Sequence, residues 1–376
     1  MRSNVVLSYI GFIFICYLAY IVGVLNFSFF DATSFFRLIK FTVFILFLII
    51  PYYLHEEYSL ADLKKILNFQ ILFIVLSGLY TLYHMIFFPL TANDYAWGYD
   101  NKYRLIGLTS YALDLNGNIK LSGSTSVSMG VFVAFIFFIL LSFYKFNHKN
   151  IYLVLAIIVF LLEFITYSRA GILVLIVGLF YYAILNLKPG FLLRIGLIII
   201  ILLSVGLYLN LSKELSSFGT LTKITNFSLQ NDHSILTRVN MLHAGIEYVS
   251  EHPMTIFFGT GYGEDYTQEA IGYTHLEGLI PTTLFTSGII AVILILFHFF
   301  SLWIISKKYS QIRTSEYTPF LYAARIFVPG WFLSASMAGN TFQTDYYFPI
   351  IYFFFFIPYF KIRASKYGAT VEPTQN

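Results

Sequence analysis

Charged side chains are scarce in this chain of 376 residues: Asp, Glu, Lys and Arg make up 11% of it, where soluble domains carry about 25%. That shortage excludes an ordinary water-soluble domain, because too few ions remain to cover its surface. Cysteine is nearly absent, with Cys16 alone in the first apolar run. A disulfide framework is therefore excluded, and cysteine usage leaves the redox compartment open. His233, His243, His252 and His275 share one segment without an HExxH motif or a recognisable metal-ligand spacing, so neither a metal nor any other cofactor is expected. The net charge of +4 is scattered rather than gathered in a basic stripe, which excludes nucleic acid as an expected partner. No repeat of about 20–50 residues recurs.

What is abundant is apolar and aromatic: 58% hydrophobic residues, 42 Phe and 30 Tyr, with a mean hydropathy of +0.74. Apolar runs recur along the whole chain, each long enough to cross roughly 30 Å of hydrocarbon. They predict spans near 5–25, 34–54, 66–88, 127–144, 151–167, 171–187, 194–209, 278–304, 319–338 and 346–361. The first run is too long for a signal-peptide core and lacks a small-x-small cleavage site, so it reads as a retained helix. The fold class expected is an all-α polytopic membrane protein of about ten transmembrane helices, 1–376 forming a single transmembrane domain with a large helical outer loop.

Orientation follows from charge. With the N-terminus cytoplasmic, thirteen Lys and Arg fall in the short inner segments and seven in the longer outer ones, as the positive-inside rule requires. Two outer segments exceed a turn, 89–126 and 210–277. The second holds at least one helix: Asp232 or Ser234 can cap it, Ile235, Val239, Leu242, Ile246 and Val249 form an apolar stripe at helical spacing, and Pro253 ends it. That stripe either docks on the bundle or lies on the bilayer surface.

Arg169 sits between two apolar runs, at the outer boundary of spans five and six. An arginine in hydrocarbon needs water, an anion or a partner. Either it snorkels or pairs with Glu163, or its planar guanidinium grips phosphate or pyrophosphate bidentately. Arg104 and Arg238 lie in the two long outer segments and Arg325 in the ninth span, and several outer arginines over an apolar bundle suit a lipid-linked phosphate. His275, at the mouth of the eighth span, is placed to accept a sugar hydroxyl's proton or simply to hydrogen-bond a helix end. Glu264, Asp265, Glu269 and Glu277 are alternative carboxylate bases. Gly259, Gly261 and Gly263 lack the βαβ context of a dinucleotide site and read as a tight turn.

Together these residues resemble the O-antigen polymerase and ligase superfamily, the Wzy and WaaL type of bacterial envelope glycosyltransferases. Ser168-Arg169-Ala170-Gly171 is similar to its SR-x-G signature, Arg238 to the arginine of its loop helix, and Pro253 with Gly259 and Gly261 to its P-x-x-G-x-G turn. His275 falls where the family has His-Asn leading into a helix, and Gly288 where it has a later glycine; Leu276 replaces the Asn, and Thr286 and Ser287 stand where an acidic residue is usual.

The resemblance implies a metal-independent polymerase of lipid-linked repeat units in the bacterial inner membrane. Both termini would be cytoplasmic and the active site periplasmic, and the donor an undecaprenyl-pyrophosphate-linked oligosaccharide. For that chemistry Arg169 and Arg238 are assigned to pyrophosphate and His275 to the acceptor, and the residue reading adds Arg104, Arg325, Glu264, Asp265 and Glu277 as substrate-binding candidates. Candidate partners are a chain-length regulator and a flippase. A ligase passing glycan to lipid A core is the alternative within the enzyme class, and a polysaccharide transporter or flippase the alternative outside it.

Overall fold

The computed structural model describes residues 4–87, 103–113, 119–122, 127–166, 168–186, 233–273, 276, 278–312, 314–337 and 348–368. Among the described residues, six helices are long and apolar enough to cross a bilayer, and there are two shorter apolar helices. Nine of the ten expected spans coincide with helices; the seventh, 194–209, lies outside the described residues. The chain divides into two compact units, one of residues 1–63, 233–328 and 332–376 and the other of 64–232 and 329–331.

The first unit is built on α1 (Asn4–Phe27), α2 (Ala32–Leu54), α7 (His233–Glu251), α8 (Thr255–Phe258), α9 (Glu264–Ile271), α10 (Leu279–Tyr309), most of α11 (Thr318–Met337) and α12 (Phe348–Gly368). Each long helix sorts its apolar residues by face. Val5, Tyr9, Phe12, Cys16 and Ala19 of α1 are buried, while Leu7, Phe14, Leu18, Ile21 and Leu25 are exposed. In water that second face would be costly; in a bilayer it is the lipid face. α1 packs along α10, and α2 along α12. On α12, Tyr352, Phe356 and Phe360 stack at i, i+4 spacing with interplanar angles of 12° and 24°.

One buried polar cluster ties three helices together. His298 of α10 is fully buried, with Nδ1 3.0 Å from the Val5 carbonyl of α1 and Nε2 2.5 Å from the Tyr352 hydroxyl of α12. A carbonyl only accepts, so Nδ1 carries the proton and Nε2 accepts from Tyr352. The neutral imidazole satisfies both neighbours without burying a charge.

The second unit contains the rest of α3 (Leu60–Phe87), α4 (Val127–Asn147), α5 (Asn150–Ile165) and α6 (Arg169–Asn186). α4 is its core: every residue from 129 to 140 is buried, with α5 and α6 packed on it. α3 begins six residues before the expected span, because Ser59 and Asp62 form a capping box, Ser59 N donating to Asp62 Oδ2 at 3.0 Å and Asp62 N to Ser59 Oγ at 3.2 Å.

Residues within the segment 89–126 add one feature to the helical plan. β1 (Tyr103–Ile106), β2 (Thr109–Leu113) and β3 (Ile119–Ser122) form an antiparallel meander, with Tyr103 opposite Ala112 and Leu113 opposite Ile119. Its first turn docks on α3: Leu108 is fully buried, its N–H donates to Thr81 Oγ1 at 2.8 Å, and Gly107 has a φ of 59°. A side chain at Gly107 would overlap Ser77 O and Thr81 Oγ1.

Candidate functional site

In the first unit, the glycine-rich turn after Pro253 and the mouth of α10 form one interlocked structure. Gly288 has φ 80° inside α10 and breaks it into two helical pieces. Breaking a helix frees carbonyls that a bilayer cannot satisfy. Here the Phe285 carbonyl is taken by Thr260, whose N–H lies at 2.8 Å and whose hydroxyl lies at 3.2 Å. α8 then seats directly on the break. A Cβ on Gly288 would overlap the Phe257 carbonyl, and one on Gly259 (φ 72°) the Thr286 carbonyl. Gly261, at φ 131°, lies against Gly23 of α1, where its Cβ would stand 2.5 Å from the Gly23 Cα. Gly259 and Gly261, two of the three glycines that read as a tight turn, therefore serve close backbone approach as well.

The same segment is clamped to the turn between α1 and α2. Asp31 caps α2 through Oδ1, which accepts from Ser34 N at 2.9 Å, and its Oδ2 accepts from Asp265 N at 3.4 Å, in the first turn of α9. One carboxylate thus sits at two helix N-termini, where the dipoles favour it. Ser34 Oγ accepts from Glu264 N at 3.1 Å. Tyr266 stacks on Phe27 with centroids 5.6 Å apart, donates to Phe29 O at 3.0 Å and accepts from Asp31 N at 3.3 Å.

Two of the expected carboxylates lie in this clamp. Glu264 Oε1 accepts from Arg37 Nη1 in a half-exposed ion pair. Asp265 is exposed, and partial desolvation together with the negative charges of Asp31 and Glu264 raises its carboxyl above the usual aspartate value. Glu269 is exposed on α9. Arg37, which the sequence places merely inside a span, emerges as the partner of a candidate site residue; the only hint was its position in the second turn of that span.

α7 packs on this assembly by the face carrying Met241, which with Leu276 and Phe285 makes a small core flanked by Tyr248 and Val249. Gly245 lies within that contact, its added Cβ 3.4 Å from Leu276. The expected stripe is divided: Val249 flanks this core, whereas Val239, Leu242 and Ile246 lie on another face and are 56%, 45% and 62% exposed. Arg238 is in the second turn of α7, and its side chain lies outside the described residues, as do those of Arg169 and Arg104 and the whole of His275 and Glu277. Arg325 is on α11, part-buried, with Nε shielded from solvent and without a hydrogen-bond partner among the described residues.

In the second unit, the Ser168-Arg169-Ala170-Gly171 stretch starts α6. Ser168 Oγ accepts from Gly171 N at 3.0 Å as an N-cap, and Ser168 N donates to Thr166 Oγ1 at 3.1 Å. Gly171 lets the turn close on α4 and α5: a Cβ there would overlap Glu163 Oε1 and stand 2.6 Å from the Gly130 carbonyl carbon. Glu163 is fully buried, and its Oε2 has no hydrogen-bond partner among the described residues. Ser and Gly of the motif thus have structural work, placing Arg169 as the first residue of α6. Arg104 stands in β1 opposite Tyr111.

Among the described residues no group of three or more His, Cys, Asp and Glu is arranged to hold a metal ion. Residues 153–296 match the family model Wzy_C, described as O-Antigen ligase. The match runs from α5 through α6, α7, α8 and α9 to beyond the Gly288 break. A comparison with curated proteins gives no match to the chain.

Proposed function

We propose that this chain, whose residues 153–296 match the family model described as O-Antigen ligase and which resembles the O-antigen polymerase and ligase superfamily, polymerises lipid-linked oligosaccharide repeat units. Members of that family are glycosyltransferase-like membrane enzymes, and their substrates are sugars carried on lipid. In the reaction proposed, a hydroxyl oxygen of the acceptor repeat unit attacks the anomeric carbon of the glycan held on undecaprenyl pyrophosphate. The new glycosidic C–O bond forms as the bond from that carbon to the pyrophosphate breaks. The pyrophosphate leaves with the electron pair, and the hydroxyl proton passes to a base.

The chemistry asks for cations where the leaving charge develops and for a base near the acceptor. Arg169 and Arg238 are assigned to the pyrophosphate, Arg104 and Arg325 to secondary contacts, and His275 to the acceptor proton. The observation that carries the assignment is the family match itself, since Arg169, Arg238 and His275 all lie within 153–296. Glu264 is a weaker base candidate than Asp265, because Arg37 already engages its carboxylate. The proposed mechanism uses no metal, and the proposed location is the inner membrane with the site facing the periplasm. Chain-length regulator and flippase remain the proposed partners.

The family model's description as a ligase favours one second reading, transfer of finished glycan to lipid A core. The glycan profile of a deletion strain separates the two. Core carrying a single repeat unit marks a lost polymerase; accumulated lipid-linked polymer marks a lost ligase and overturns the first reading. Arg169→Ala and Arg238→Ala are expected to abolish polymer with normal membrane levels of protein, and a normal ladder from either removes that residue from the site.

A further inference from the structure

We infer that α7 and α8 form an interfacial element, with their exposed apolar faces sunk into the headgroup and upper acyl region of the bilayer beside α10. α7 has three distinct sides. Met241, Gly245 and Tyr248 pack against the chain; His243, Glu247 and Glu251 are polar and exposed; and Val239, Leu242 and Ile246 at i, i+3, i+7 are apolar and exposed. A helix stabilised only by packing on its own chain would leave its second apolar face to water, a contiguous patch that soluble surfaces avoid. An interfacial helix needs that face.

Continuity with the lipid-facing surface identifies the occupant. After Pro253, Met254, Phe257 and Phe258 are 66%, 52% and 51% exposed. α8, which carries the two phenylalanines, sits on the Gly288 break of α10, where the Phe257 carbonyl and Phe258 N crowd the glycine. Two residues further along α10 begins the exposed apolar face of a membrane span, Ile290 and Ile293. The exposed face of α8 therefore meets the lipid face of α10 at its mouth. α7 carries one arginine, no lysine and two glutamates, so the attachment is through apolar area rather than attraction to anionic lipid. On the functional reading above, the consequence is that the helix bearing Arg238 lies at the depth where a lipid-linked pyrophosphate resides.

The test reads depth and not activity, so its failure and that of the functional reading are distinguishable. Ile246→Cys and, as its neighbour on the polar side, Glu247→Cys are made in the full chain; Cys16 is fully buried, and unsubstituted protein measures any labelling there. Each is labelled with an environment-sensitive fluorophore in nanodiscs and exposed to aqueous iodide or to lipid bearing a nitroxide high on the acyl chain. Position 246 is expected to be quenched several-fold more by the nitroxide lipid than position 247, with the order reversed for iodide and unchanged when anionic lipid is omitted. Equal iodide quenching at both positions, or no quenching of 246 by either agent, overturns the proposal; the second result would mean that protein covers the face. Phe257→Cys gives an independent reading should Ile246→Cys fail to accumulate.

Discussion

Asp31 shows how one side chain can hold distant parts of a membrane protein together. Its two oxygens accept from Ser34 N and Asp265 N, and its backbone carbonyl accepts from Tyr20 Oη at 2.9 Å. Asp31→Ala would uncap α2 and release the first turn of α9. A lost N-cap costs about 0.5–2 kcal/mol, and the second acceptor adds to that. Thermal unfolding in detergent should show a clear loss, with Asp31→Asn, which keeps one acceptor oxygen, falling between the two. Thr81, which anchors the β-meander, is a parallel case in the other unit. Asp31 stands ahead of the apolar run at 34–54 but was not singled out as its cap, and the partner 234 residues away was not legible, since nothing local in a sequence announces a tertiary acceptor.

Asp265, beside it, carries a pH dependence of defined sign. Its folded-state value is raised by desolvation, Asp31 and Glu264, so the folded state holds this proton more tightly than the unfolded chain does. Relative stability is therefore greatest below the unfolded carboxyl value, about 4, and falls as pH rises through the raised one. Asp265→Asn should unfold at a higher temperature than the unsubstituted protein at neutral pH, and at the same temperature in acid. A gain that persists in acid would assign the effect to something other than charge.

At the scale of elements, the informative cases are those where hydrophobicity is blind. α10 is expected as one span, 278–304, with Gly288 noted there without a break; the interlock with Gly259 and Phe257 explains why Gly288 adopts φ 80°. The apolar stripe of α7 was legible from spacing, yet the face that packs includes Gly245 and Tyr248, and a glycine contributes no hydrophobic signal. The capping box at Ser59 and Asp62 was present in the sequence but stood ahead of the apolar run that defined the span. Gly288→Ala is expected to be severely destabilising, because the methyl group meets backbone and not a movable side chain; protein recovered folded from the membrane at normal yield would contradict that. For His298→Ala, the Tyr352 hydroxyl and the Val5 carbonyl each lose one buried hydrogen bond, of about 0.5–1.5 kcal/mol apiece. Its check is the midpoint of detergent unfolding, and an unchanged midpoint would mean that the other contacts, among them the Ser8 hydroxyl already donating to Val5 O at 2.9 Å, hold this site without the imidazole.

For the molecule as a whole, the helical membrane plan could be read directly from composition because hydrocarbon admits few alternatives. The site could be read only as a set of separated residues: charge counting put Arg169 and Arg238 on the same side, but spacing along a chain does not bring them together. The same charge counting makes a prediction that the structure now allows to be placed at exposed positions. Thirteen inner against seven outer Lys and Arg assign the turn after α2 to the cytoplasm and α9 to the periplasm. Glu57 lies in the first and Glu269 in the second, both exposed, while Cys16 is fully buried and should stay silent. A membrane-impermeant maleimide applied to intact spheroplasts should label Glu269→Cys at once and Glu57→Cys only after permeabilisation. The opposite pattern would reverse the orientation, putting α9, Arg238 and the proposed pyrophosphate grip on the cytoplasmic face. A polymerase acting on units already carried across the membrane would then have to be abandoned, whatever the family match says about the chemistry.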